Sequence, residues 1–367
     1  MNERGEEVFV FDRFPGVEVR PDVINMADVV ELLPKAANYP RLVKWLLHLF
    51  QIDEVNRVHS AWCKDPGPEF VKHLMEDEFK IPLQVDGLEI LEKFREGPFI
   101  TVSNHPFGSI DGIALIYIVT RFRPEYKVMV NMILNRLSAM RPNFIAVDQS
   151  ASDDPEKRRV SVAGVREAIS MLRSGQPVGF FPAGAIGMTD KDGIIVDRPW
   201  QPTVLQIIQK AKVPVIPIYF HGTNSGLFNF LGHHCVPLRT AFLARELFKK
   251  REKPMRVTIG EPVSVEKQAE FGKDYEALGW YLRMQTYDLS GRHGDIPEFP
   301  ETTDITEDED IPEFPDTTET TEASEIPEIP DNTDPAETSD ISDIPGIIYA
   351  KYYSEASETD SISTLTI

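Results

Sequence analysis

Ile100-Thr101-Val102-Ser103-Asn104-His105-Pro106-Phe107-Gly108-Ser109-Ile110-Asp111-Gly112 carries the chain from an apolar run that begins at Phe99 to a second one, Ile113 to Val119. The first run reads as a buried strand and the second as a helix packed inside the protein. His105 and Asp111 therefore stand at a strand-to-helix junction. Open α/β sheets place their chemistry at such junctions, at the carboxyl ends of strands. A histidine that titrates near neutrality can take a proton from a hydroxyl. A nearby carboxylate can fix its tautomer and steady the imidazolium as it forms. Pro106 and Gly108 keep the segment from being regular helix, so it can turn back on itself. On this reading His105 is a general base and Asp111 orients it. Spacing alone favours the plainer account of a strand-exit turn whose His and Asp only satisfy backbone groups, because two such residues are a weak signal.

Downstream of this junction, strand and helix patterns alternate. Strands are predicted at 127–130, 143–147, 178–181, 213–220 and 255–259, and helices at 111–121, 133–140, 155–174, 203–211, 238–251 and 265–289. A short helix over 88–95 precedes the strand at 98–103. Alternation of this kind specifies the α/β class, with a mainly parallel sheet flanked by helices. Upstream, residues 1–20 read as irregular and Met26 to Phe79 as largely helical, giving an N-terminal helical region over 1–80. Leu42, Trp45, Leu46, Leu49 and Phe50 share one helical face, and packing on the body is favoured over lying in a membrane surface. The α/β domain spans 81–292. Beyond it, Asp295-Ile296-Pro297-Glu298-Phe299-Pro300 recurs in related form at Asp310 and Glu325, offset by fifteen residues each time. Pro, Asp, Glu, Thr and Ser dominate residues 293–367. Such a mixture cannot bury enough apolar surface to offset chain entropy, so a disordered acidic tail is expected, more a solubilising segment than a docking one.

The net charge of −21 belongs to that tail. From His293 onward lie 22 of the 59 acidic residues but only one of the 38 basic ones, so residues 1–292 hold 37 of each. A neutral body with an acidic tail argues against nucleic acid as a partner. Cys63 and Cys235 have neither disulfide-framework nor metal-ligand spacing, and a reducing, cytoplasmic setting is expected. His233-His234 beside Cys235 lack a second ligand pair, so no metal site is expected. The N-terminus lacks the basic-then-apolar form of a signal peptide. Ile113 to Val119 is too short to span a bilayer, and no other stretch comes close.

Four segments in order resemble the lysophospholipid acyltransferases of the PlsC type. They are Asn104-His105 through Asp111-Gly112, Met140 to Asp148, Val178-Gly179-Phe180-Phe181-Pro182-Ala183-Gly184, and Val213 to Phe220. His105-Pro106-Phe107-Gly108, Phe181-Pro182-Ala183-Gly184, Pro199-Trp200 and Phe220-His221-Gly222 with Asn224-Ser225 are similar to the bacterial hemolysin-related O-acyltransferases of amino-acid lipids. The resemblance implies a glycerol-3-phosphate acyltransferase-like fold. It implies transfer of a fatty acyl chain from acyl carrier protein or coenzyme A to the hydroxyl of a lyso-lipid, with no resident cofactor or metal. His105 would deprotonate the hydroxyl and Asp111 would hold His105. Asn104, Gly108, Phe181, Pro182, Gly184, Arg198 and His221 form the expected substrate-contact set, although His221 reads more readily as a structural histidine. The chain contains no Gly-x-Ser-x-Gly elbow, which agrees with direct transfer. The expected location is peripheral, on the inner face of the cytoplasmic membrane.

Several residues depart from the family pattern. Five residues separate His105 from Asp111 where the family usually has four. Ala183, Ile186 and Asp148 stand where it carries Glu, Arg and a basic residue, so groups that would hold a glycerol phosphate are missing. Lys157, Arg158, Arg159 and Arg198 are candidate replacements, the first three also reading as a solvated helix face. These losses imply an acceptor without phosphate, such as a lyso-amino-acid lipid, and raise the alternative of a non-catalytic lipid-binding scaffold. Gly184 and Gly187 could offer backbone N–H groups to a thioester oxyanion or form an ordinary turn. Leu227, Phe228, Phe230 and Leu231 read as core before acyl-chain wall.

Overall fold

The computed structural model of the chain describes residues 7–148, 155–190 and 194–291. The acidic repeats expected to be disordered lie outside them. Two short strands, β1 (Phe9–Val10) and β2 (Glu18–Val19), pair antiparallel where the sequence predicts irregular chain. Helices α1 (Met26–Leu32), α2 (Pro40–Leu49), α3 (Ile52–Trp62) and α4 (Pro68–His73) follow, the last extended by a π turn over Leu74–Glu78. Asn25 caps α1 by accepting from Asp28 N while Asp28 accepts from Asn25 N, a reciprocal pair that satisfies two end donors.

The alternating region runs β3 (Leu83–Asp86), α5 (Leu88–Glu92), β4 (Ile100–Ser103), α6 (Ile110–Thr120), β5 (Lys127–Asn131), β6 (Phe144–Val147), α7 (Pro155–Arg173) and β7 (Val178–Phe180). A small antiparallel pair, β8 (Met188–Thr189) with β9 (Ile195–Val196), precedes α8 (Pro202–Ala211) and β10 (Val215–Phe220). Helices α9 (Gly226–His234), α10 (Val236–Ala241) and α11 (Leu243–Phe248) lead to β11 (Met255–Ile259), α12 (Val265–Ala269) and α13 (Tyr275–Asp288). Seven strands form one sheet in the order β3-β11-β10-β4-β7-β5-β6, parallel throughout except between β10 and β11.

Both faces of this sheet are covered, which is why β4 and β7 are buried at every residue. Ile100 and Val102 of β4 point to the layer that holds Leu205, Ile208, Leu278 and Leu282. Ile216, Ile218 and Phe220 of β10 point to the opposite layer, with α6 and the helices α3 and α4. Helix α6 is apolar on every side, and Ile110, Ala114, Leu115 and Val119 are wholly inaccessible. A helix of that composition has to lie inside. Its N-terminus, with Asp111 in the first turn, is thereby fixed against the end of β4.

Several elements differ from the sequence expectation. Residues 133–140 form no α-helix but two 3₁₀ turns, Met132–Arg136 and Ser138–Asn143, with Pro142 in the second denying it an N–H donor. The helix expected over 238–251 is divided into α10 and α11. The one expected over 265–289 breaks after Ala269: turns follow, Gly272 has a φ of +56°, and Asp274 then caps α13 through Ala277 N. On α2 and at its C-cap the covered residues are Val43, Leu46, Leu47, Leu49 and Phe50, while Leu42 and Trp45 are 51% and 57% exposed. Apolar residues surround most of α2, so periodicity alone did not select the inward side. On α9, Phe228 and Leu231 are buried three residues apart, whereas Leu227 and Phe230 point outward, each 56% exposed, against the expectation of core for all four. Among the described residues no helix is long and apolar enough to cross a membrane.

Candidate active site

Parallel neighbours β4, β7 and β10 end side by side, so the segments that leave them, 104–111, 181–187 and 221–225, meet along one edge of the sheet. Asn104 fastens the first to the third. Its Nδ2 donates to Phe220 O at 3.0 Å and its Oδ1 accepts from Phe220 N at 2.7 Å. With both ends of its amide engaged and only 3% exposure, Asn104 positions the turn. Asn224 donates to Phe107 O at 3.0 Å and holds the same turn from the other side. His105 is tied at both backbone groups: its N–H donates to Asp197 Oδ1 at 3.2 Å, and its carbonyl accepts from Gly187 N at 2.9 Å.

His105 Nδ1 lies 3.0 Å from Asp111 Oδ2. The ring N–H is not aimed straight at that oxygen, since Nδ1 meets no partner within hydrogen-bond angles. Asp111 has further support. Its Oδ2 accepts from Phe107 N (2.9 Å) and Gly108 N (3.2 Å), and its Oδ1 from Gly112 N (3.0 Å). The longer turn is absorbed at Gly108, where φ is +78° and a side chain would run into Ile186. That backbone curl brings two amides onto the carboxylate and returns Asp111 to the imidazole despite the extra residue.

Burial pulls the His105 pKa down, but the charge and contact of Asp111, then the charge of Asp197, outweigh it, and His105 titrates above the usual histidine range. Burial pushes Asp111 up, but His105 and the Phe107 and Gly108 amides outweigh that, and it stays below the ordinary carboxylate range. The helix-start position adds to this, since aligned peptide dipoles favour an anion there. Phe181 covers one face of the imidazole, with ring centroids 4.2 Å apart at 36°. With Nδ1 against the carboxylate, Nε2 is the nitrogen left to accept a proton.

The structure thus brings together His105, Asp111, Asn104, Gly108 and Phe181, with Pro182 and Gly184 in the adjoining turn. Pro182 O accepts from Gln201 N at 2.8 Å. The oxyanion role expected of Gly184 and Gly187 meets an obstacle, because both N–H groups are already used: Gly184 N donates to Phe181 O at 2.9 Å and Gly187 N to His105 O. Arg198 is half-buried with Nη2 3.6 Å from Met188 Sδ. His221 turns away toward β11, where its Nε2 lies 2.8 Å from Thr258 Oγ1. Burial, then the charge of Arg256, lowers its pKa. The Thr258 contact agrees with the reading of His221 as a structural histidine. Lys157 lies 4.0 Å from Asp148, and Arg158 and Arg159 are exposed.

Asp197 is the residue that sequence reading missed. It is 4% exposed, its Oδ2 has no hydrogen-bond partner among the described residues, and Arg283 donates to its backbone carbonyl at 2.8 Å. A signal was present: an acidic residue two positions before the quoted Pro199-Trp200. Burial pushes Asp197 up to about 6, against the smaller opposing effects of the His105 N–H, the His105 and Arg283 charges and Tyr287. A folded pKa above the unfolded value, about 4, means that the protonated form adds stability in full below about pH 4. That contribution is lost as pH rises through about 6. Asp197→Asn is expected to abolish this loss, so on going from pH 4.5 to pH 7 the urea midpoint should rise more, or fall less, in the variant than in wild type. An unchanged pH dependence would show that Asp197 ionises as an ordinary carboxylate.

A buried base and carboxylate at the end of a central parallel strand suit proton transfer from an alcohol. A family model described as "Acyltransferase" matches residues 30–293. The chain belongs to the acyltransferase family. It is 31% identical over 255 residues to the lyso-glycine lipid O-acyltransferase of Bacteroides thetaiotaomicron, a match covering 66% of this chain and 90% of that protein. The protein of the same name from Phocaeicola vulgatus is 29% identical, over 66% of this chain and 88% of its own. The solved 1-acyl-sn-glycerophosphate (LPA) acyltransferase PlsC from Thermotoga maritima shares 20% identity at a TM-score of 0.39, over 70% of this chain and 90% of that one. As an acyltransferase with its His/Asp pair in contact, the protein is an enzyme, and the non-catalytic scaffold alternative gives way.

Proposed function

We propose that this acyltransferase moves a fatty acyl chain from a thioester, carried by acyl carrier protein or coenzyme A, to the hydroxyl of a lyso-lipid whose head group is an amino acid. The observation that carries this reading is the 3.0 Å approach of His105 Nδ1 to Asp111 Oδ2, in a turn fixed by backbone hydrogen bonds. Nε2 takes the hydroxyl proton as the oxygen attacks the thioester carbonyl. The tetrahedral intermediate then collapses, the C–S bond breaks, and the thiolate leaves and recovers the proton. Asp111 stabilises the imidazolium formed in between. The thioester is a co-substrate, and the sequence of steps calls on no resident cofactor.

The head-group assignment is supported by the names of the two relatives and by Ala183, Ile186 and Asp148, which replace the polar and basic residues expected around a phosphate. Contact with a membrane surface, proposed to be the inner face of the cytoplasmic membrane, draws its support from outward Tyr39, Leu42 and Trp45 near α2 and Leu227 and Phe230 on α9, which bear on contact and not on the choice of face. The test is transfer by the purified full chain from acyl carrier protein and coenzyme A thioesters, offered lyso-glycine lipid or lysophosphatidic acid. Diacyl glycine lipid with matching thiol release is expected. Strong preference for lysophosphatidic acid would overturn the head-group assignment.

A further inference from the structure

Helix α10 delivers a buried cation beside the reacting histidine. Arg239 is 6% exposed, and the only hydrogen bond of its side chain among the described residues runs from Nη2 to Gly187 O at 2.6 Å. Nε is buried without an acceptor. Gly187 is the residue whose N–H holds the His105 carbonyl, so one glycine links the guanidinium to the backbone of His105, and the Arg239 charge opposes the gain of a proton by the His105 ring. The plane of Arg239 is seated on purpose-built walls. Its Cζ lies 4.8 Å from the centre of the Phe228 ring, and a Cβ at Gly232 would stand only 3.2 Å from that carbon. A side chain at 232 would make the guanidinium shift by a few tenths of an ångström.

A buried guanidinium costs much unless an anion meets it. Here burial, then the like charge of Arg198, holds its pKa below the usual value, the reverse of what a carboxylate neighbour would do. The position also matters. Residue 186, where the family pattern carries Arg, is Ile186, and its side chain fills the space beside Gly108. Arg239 brings a positive charge to the next residue of that segment from a different helix. Its planar fork matches a carboxylate through two parallel N–H···O bonds.

We infer that Arg239 binds the carboxylate that ends the head group of the acceptor lipid and so selects amino-acid lipids as acceptors. This rests on the acceptor class proposed above. A head group anchored one residue from His105 would bring the acceptor hydroxyl to Nε2 in a limited set of orientations, which favours reaction.

The experiment compares the full chain and its Arg239→Gln and Arg239→Lys variants. Each is offered lyso-glycine lipid, the primary amide of that lipid, and lysophosphatidic acid, with one acyl thioester donor. Wild type is expected to prefer the acid over its amide by about 10- to 100-fold in kcat/KM, the range for a charge-assisted hydrogen-bond pair. Arg239→Gln should bring that ratio to about one, mainly through a higher KM for the acid, and Arg239→Lys should fall between. The inference is overturned if wild type uses acid and amide equally, a result that needs no variant, or if Arg239→Gln lowers both in the same proportion. Selective loss of lysophosphatidic acid acylation in Arg239→Gln would assign the arginine to phosphate instead and overturn the carboxylate. Use of lysophosphatidic acid with neither glycine lipid nor amide accepted would sink the proposed acceptor class itself.

Discussion

His105→Ala is expected to lower kcat by about 10²–10⁴-fold, the contribution of a positioned general base, with little change in KM for either substrate. The reason lies in what the imidazole touches. One face is covered by Phe181 at 4.2 Å, and Nδ1 is given to Asp111, so the ring's remaining contact with substrates is through Nε2. Removing it takes away the proton acceptor and leaves the remaining walls in place. Folding should survive, because Asp111 keeps the Phe107, Gly108 and Gly112 amides and the backbone of residue 105 keeps its bonds to Asp197 and Gly187. Alanine does leave a buried anion without its cation, so some stability is lost. Thiol release and diacyl-lipid formation, measured at saturating donor, check the prediction. If the alanine variant kept a tenth of wild-type kcat, the hydroxyl would be losing its proton to something else.

The fold was legible in the chain because its strongest signals are local. The mainly apolar runs of β4, β7 and β10 and the apolar run Ile113 to Val119 of α6 mark the central elements of a sheet covered on both faces. The breaks in the helices expected over 133–140 and 265–289 were harder to place, since Pro142 and Gly272 act through backbone geometry that apolar periodicity does not register. The site was legible where one segment supplies it. His105, Asp111 and the turn between them are contiguous, and Gly108 marks the curl that lets five residues do the work of four. It was less legible where tertiary contact decides. Asp197 reaches the His105 N–H across 92 positions, and Lys250 lies 4.4 Å over the Phe107 ring. Neither distance leaves a trace in spacing. Asn104 and His221 illustrate the converse: both sit in quoted segments, yet their side chains serve Phe220 and Thr258. A residue type suited to chemistry is equally suited to joining two strands, and only the fold tells them apart.

Asp111→Asn should cost about as much in kcat as losing the base, roughly 10²–10⁴-fold, but with a different pH signature. Asparagine keeps the volume while removing the charge. It also turns either an amide NH₂ or a neutral oxygen toward three sites now served by a carboxylate, the Phe107 and Gly108 N–H groups and His105 Nδ1. The tautomer with a proton on Nδ1 and a bare Nε2 is then no longer selected. A catalytic base has to be neutral, so kcat/KM rises as pH passes upward through the His105 pKa, which Asp111 holds above the usual histidine range. Without that charge the burial of the ring prevails over the remaining pull of Asp197, and the acidic limb of the profile moves to lower pH. The ratio of wild type to variant should therefore be larger at pH 8 than at pH 6, where wild-type His105 is itself increasingly protonated. Stability should follow the same carboxylate. A folded pKa below the unfolded one makes ionised Asp111 stabilising above about pH 4, with the benefit lost as pH falls through the folded value. The variant has no such benefit to lose on acidification. A pH profile with an unmoved acidic limb, even alongside a large drop in kcat, would mean that Asp111 shapes the turn without governing the proton on His105.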